Sequence, residues 1–158
     1  MGYTHYYSVV SKVSLANELV YQEACSQINK LVYSFAKEHG GVSGFSAHAV
    51  PGIYRGVNFN GSRENGHEAF ILRESLKLMA GDSLFCKTAR KPYDVLVTAS
   101  LCILKHYLPG VFDVNSDGDY PDWAAGCHMA GVHLGFKIQV PPNIKRTSRL
   151  HLVGGKRA

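Results

Sequence analysis

The residues with chemistry to offer gather in one stretch, Phe85-Cys-Lys-Thr-Ala-Arg-Lys-Pro-Tyr-Asp94. A thiol (Cys86), three cations (Lys87, Arg90, Lys91) and a carboxylate (Asp94) stand directly ahead of an apolar run, Val95 to Leu108. Cations at a helix N-terminus form a natural anion site, because side-chain and backbone donors converge on one negative charge. Lys87, Arg90 and Lys91 are therefore candidate ligand-binding residues, with Trp123 as a fourth. The same positive field would lower a thiol's pKa and make Cys86 a candidate nucleophile. Its base would have to arrive through the fold, and His5, on a β-rich segment beside several tyrosines, is the first candidate. Asp94 completes the catalytic candidates. The competing structural account is that the cations are solvated, Cys86 is buried and Asp94 only caps a helix.

Three other groups are weighed the same way. Asp113, Asn115, Asp117 and Gly118 match the first half of a calcium-binding loop, but the closing glutamate position holds Ala124 and Pro121 is foreign to such a loop. A looser metal site on Asp117, Asp119 and Asp122 is the weaker alternative to an acidic turn. His128 and His133 are five residues apart, the wrong spacing for two ligands on one helical face. The tail residues Lys145, Arg146 and Arg149 could neutralise phosphates of a nucleic acid, although no aromatic is interleaved to stack on bases.

Positioning these groups requires a folded core, and 158 residues suffice for one domain. Residues 137–158 carry six of the 17 Lys/Arg and none of the 12 Asp/Glu, so residues 1–136 balance at −1 and the net +5 is a property of the tail. The expected division is a globular domain over 1–140 and a basic tail over 141–158. The four cysteines form no CxxC pair, which excludes the common zinc and dithiol motifs and fits free thiols in a reducing compartment. No apolar run is long enough to span a membrane, and no secretory leader is visible, so a cytoplasmic protein is expected.

Periodicity supplies the elements. Tyr3–Val10 is β-rich, and Leu15–His39 has helical spacing behind an N-cap at Ser14. Residues 40–52 form a glycine-rich loop that matches no phosphate-binding pattern. A strand over Ile53–Phe59, turn dipeptides at Asn60-Gly61 and Asn65-Gly66 that allow a longer irregular tip between them, and a return strand over His67–Leu72 suggest a hairpin. Leu84–Lys87 is a short strand, and a central helix runs from Pro92 to the Pro109-Gly110 stop. Val111–Val114 is a strand, Trp123–Leu134 a helix weakened by Gly126 and Gly131, and Lys137–Val140 a last strand. The predicted fold is α+β in two layers, with two main helices on a mostly antiparallel sheet.

Met1-Gly-Tyr-Thr-His-Tyr6, Phe85-Cys-Lys-Thr88 with Pro92-Tyr-Asp94, and Ser116-Asp-Gly118 followed by Trp123 together resemble a family of small uncharacterised proteins of tailed bacteriophages and their bacterial hosts. The resemblance implies a phage-type accessory protein in the host cytoplasm and carries over no functional residue. It also suggests that the three segments matter jointly. The expected function is binding of a phosphate-bearing ligand, a nucleotide or nucleic acid, or of a host protein. The alternative is a small nucleotide- or phosphoester-directed enzyme using a His/Cys/Asp pocket. No cofactor motif is present.

Overall fold

Strand β1 (Thr4–Val9) lies between two strands distant in sequence, β5 (Ser83–Lys87) and β6 (Phe112–Ser116), and is antiparallel to both. The computed structural model describes residues 2–44 and 56–146. Between β1 and β5 come helix α1 (Leu15–His39), strands β2 (Val42–Ser43), β3 (Val57–Gly61) and β4 (Phe70–Leu72), and short 3-10 turns over Arg63–Asn65 and Leu76–Met79. Helix α2 (Asp94–Tyr107) links β5 to β6, and helix α3 (Tyr120–Leu134) follows. The architecture is α+β, as its sequence predicts, with two three-stranded antiparallel sheets, β5-β1-β6 and β2-β3-β4.

Local chemistry explains the boundaries. Ser14 and Asn17 form a reciprocal capping box at α1, each side chain accepting the other's backbone N–H at 3.0 Å. Glu18, in the next position, reaches across to the 3-10 turn and accepts from Ser75 Oγ and Leu76 N. Alternation along β1 turns His5, Tyr7 and Val9 inward and leaves Tyr6 exposed.

Helix α2 is the core of the molecule. Nine consecutive residues, Leu96–Leu104, are buried, each large apolar one contributing about 1.5–3 kcal/mol. Its two polar members satisfy themselves: Thr98 Oγ1 and Ser100 Oγ donate to carbonyls of the preceding turn. α3 packs closely across α2 because residue 126 is glycine. A Cβ there would lie 2.0 Å from Thr98 Oγ1 and 2.9 Å from the Ala99 backbone nitrogen. The glycines that weaken α3 by propensity are thus packing positions, and tertiary contact overrides the local cost of about 1 kcal/mol each.

The hairpin takes the longer tip that Asn65-Gly66 allows, with Asn60 and Gly61 still in β3 and a 3-10 turn over Arg63–Asn65, while two other details differ from the sequence expectation. Asn60 accepts from Gly61 N and His67 N and donates to the His67 carbonyl, bracing the longer turn. Residues 137–140 form no strand. Packing also continues beyond residue 140, since Pro141 and Ile144 are buried. Most of the glycine-rich loop, with His48, and residues 147–158, with Arg149, lie outside the described residues.

Candidate functional site

The three sequence stretches Tyr3–His5, Thr88–Asp94 and Ser116–Trp123 meet at the imidazole of His5, which is 0% exposed. The sheet register places Ser116, at the end of β6, directly across from His5. Ser116 Oγ lies 2.8 Å from His5 Nδ1, and Asp94 Oδ1, at the start of α2, lies 2.7 Å from His5 Nε2. Thr88, fully buried just after β5, donates to the same Asp94 oxygen at 2.5 Å.

The partners assign the tautomer. An ionised Asp94 only accepts, so His5 carries its proton on Nε2 and presents Nδ1 as an acceptor. The Ser116 hydroxyl then donates to Nδ1, while Ser116 Oγ itself accepts from Gly118 N at 2.9 Å. The result is a line from a half-buried serine, through the imidazole, to a carboxylate that is 18% exposed.

Two aromatic rings clamp the imidazole edge-on. Tyr3 and Trp123 each sit 5.1 Å from it, at 85° and 83°. The Tyr3 hydroxyl and the Trp123 indole N–H are both buried, and neither makes a hydrogen bond of normal geometry among the described residues. Tyr3 stays protonated well above the ordinary tyrosine range. Burial is the main cause, followed by the Asp94 and Asp122 carboxylates, with Arg90 and the adjacent Ser116 hydroxyl acting the other way. Its hydroxyl rests against Gly118, where a Cβ would stand 2.2 Å away.

Arg90 forms the outer edge. Its guanidinium carbon is 3.9 Å from the centre of the Tyr3 ring and its Nη1 donates to Asp122 Oδ1 at 3.1 Å, while the side chain remains 56% exposed. The chain reaches this position through two successive non-glycine residues in the left-handed region, Ala89 (φ 52°) and Arg90 (φ 59°). Such conformations cost about 1–3 kcal/mol each and persist where surrounding contacts hold them. Here Thr88 N and Ala89 N both donate to the Tyr3 carbonyl.

The other candidates fall as follows. Cys86 faces the core opposite His5 and is fully buried. Burial, with Glu68 nearby, pushes its thiol up to about 12, the reverse of the expected lowering, and both His5 nitrogens are already occupied. Lys87 runs alongside Gly2, and Lys91 is half-buried in the turn before α2. Trp123 packs under His5 and offers no exposed stacking face.

The acids each serve the backbone. Asp117 Oδ2 accepts from Thr4 N, Asp119 and Asp122 form the capping box of α3, and Asp122 holds Arg90. Among the described residues no three His, Cys, Asp or Glu side chains are placed to hold a metal ion. Lys145 and Arg146 are tied to the start of α3, through Tyr120 N to the Lys145 carbonyl and through Arg146 over the Tyr120 ring at 4.7 Å.

Tyr3, Thr88 and Ser116 belong to the site and were not predicted from the sequence. Their signal lies in the motifs themselves: each flanks a candidate residue, yet only strand pairing brings Ser116 opposite His5. Comparison with protein-family models, curated proteins and solved structures finds no match to this chain.

Proposed function

We propose that the protein is an acyl-transfer enzyme, most simply an esterase, with Ser116 as nucleophile, His5 as base and Asp94 as the group that orients and charges the imidazole. The observation that carries this reading is the unbroken line Ser116 Oγ–His5 Nδ1 and His5 Nε2–Asp94 Oδ1, at 2.8 and 2.7 Å. As Ser116 Oγ attacks an ester carbonyl, its proton passes to His5 Nδ1, and Asp94 stabilises the imidazolium. The same proton then goes to the departing alkoxide oxygen, leaving an acyl-serine that water hydrolyses by the reverse route. The Tyr3 O–H, buried beside Ser116 and kept protonated, is the donor available to the oxyanion. The carboxylates of Asp94 and Asp122 both act on Arg90, a field that suits a neutral acyl group better than a phosphate dianion.

The test is labelling with a fluorophosphonate, followed by peptide mass spectrometry, together with hydrolysis of p-nitrophenyl acetate and butyrate. An adduct on Ser116 and its loss in Asp94→Asn are expected. Absence of any Ser116 adduct, with equal hydrolysis by wild type and Ser116→Ala, would overturn the reading.

Binding of a phosphate-bearing ligand without turnover is the second reading, favoured by Arg90, which is held in place yet more than half exposed. It predicts thermal stabilisation by nucleotides that Arg90→Ala removes and Ser116→Ala does not.

A further inference from the structure

We infer that the cavity between α3 and the returning segment 135–140 is a second binding site, for a small molecule with an apolar body and an anionic head, such as an aliphatic carboxylate. The cavity follows from how α3 ends. Gly135 takes the left-handed conformation (φ 87°), its N–H and that of Phe136 both donate to the Gly131 carbonyl, and the chain reverses along the helix. Residue 131 must be small for this, because a Cβ there would stand 2.9 Å from the Phe136 carbonyl oxygen. Cys127 Sγ donates to the Ile138 carbonyl at 3.2 Å and ties the segment down farther along, and Ile138 and Val140 turn inward.

Alongside these ties the helix and the segment border a space of about 510 Å³, inside the range of small-molecule sites. Its walls are aliphatic and aromatic: Ala124, Val132, Phe136, Ile138 and Val140. Val132 and Phe136 leave 68% and 48% of their surface to solvent at the mouth. That calls for an apolar body.

The head is decided by charge. Lys137 lines the cavity, and Arg146 lies over the ring of Tyr120 at one end, whereas no Asp or Glu is among the lining residues. Lys137 also helps hold the Cys127 thiol below its ordinary range, after the larger effect of its contact with the Cys102 thiol and against that of burial. None of the lining residues belongs to the His5 cluster, so this site stands or falls independently of the esterase reading.

The experiment is a fluorescence titration of the full chain with 1-anilinonaphthalene-8-sulfonate, itself an apolar body with an anionic head, followed by displacement with decanoate and with decanol. Saturable binding is expected, with decanoate displacing the probe about three- to fivefold more tightly than decanol, the worth of a partly exposed ion pair. Lys137→Ala should bring the two competitors level. Ala124→Trp, which fills the cavity from an exposed helix position, should weaken probe binding about tenfold or more. Val132→Trp repeats the test from a second exposed position if the first variant does not fold. Equal displacement by decanoate and decanol in the wild type, or unchanged binding in a folded cavity-filling variant, would overturn the proposal.

Discussion

Ser116 Oγ and His5 Nδ1 lie 2.8 Å apart although 111 residues separate them in the chain. The serine is half-buried and the histidine fully buried. Removing the serine hydroxyl has two separable effects. Ser116→Ala should lower ester hydrolysis about 10³-fold or more if the serine is the nucleophile. It should also leave the Nδ1 acceptor unpaired, at a cost of about 1–3 kcal/mol measurable by urea denaturation. Asp94→Asn should lower activity steeply while its amide still fills the same space. Stability loss in both variants without any activity to lose would mark the line as purely structural.

Tyr3 and Gly118 give a second prediction. Gly118→Ala drives a methyl into the Tyr3 hydroxyl and should cost about 1–3 kcal/mol. Tyr3→Phe removes that oxygen. The double variant should therefore be more stable than the two single costs sum to, by an interaction energy of at least about 0.5 kcal/mol in a denaturation cycle. Strict additivity would show that the two residues do not touch.

Glu18 makes stability depend on acid. Burial opposes ionisation, but hydrogen bonds from Ser75, Leu76, Gln22 and Lys77 outweigh it and hold the carboxyl below its ordinary range. A group with a lowered folded-state pKa contributes stability above its unfolded pKa and loses it as pH falls through the folded value. Wild type should thus melt at a higher temperature than Glu18→Gln near pH 7, and the gap should close as pH drops below about 4. A gap that persisted to pH 2 would mean the carboxylate's charge is not what stabilises the turn.

The four free cysteines should differ sharply in reactivity. Burial pushes Cys25 and Cys86 up to about 12, and Cys102 is raised further still by its contact with Cys127. Cys127 alone is lowered, to about 7. Iodoacetamide on the folded protein should modify Cys127 first, with a rate that rises across pH 6–8. Mass spectrometry finding Cys86 modified first would contradict its burial in the core.

Local signals made the long elements legible. The capping pair at Ser14, the helical spacing behind it and the apolar run ending at Pro109 carry α1 and α2 almost to their boundaries. His5, Asp94 and the three separated motifs that meet there were also marked, because residue types and turn chemistry are local properties. Ser116 was not, since its role comes from antiparallel register between β1 and β6, and no local pattern sets which residue faces His5. Of the two accounts of Cys86 the buried one holds, and the lowered thiol does not, for a related reason. The nearby cations are adjacent in sequence, but the strand turns the thiol away from them into the core. Gly126 and Gly131 looked like defects because propensity ignores the neighbour each one admits.

The central position of β1 has a consequence for how the molecule assembles. β1 forms no hairpin with the element that follows it; both of its neighbours, β5 and β6, come from the far half of the chain. During synthesis the histidine emerges long before the carboxylate and the serine that receive it. Closing such long loops is entropically slow, so helix α1 and the β3–β4 hairpin can form while β1 waits unpaired. The three-stranded sheet, and with it the His5 line, is absent from any fragment that stops short of β6.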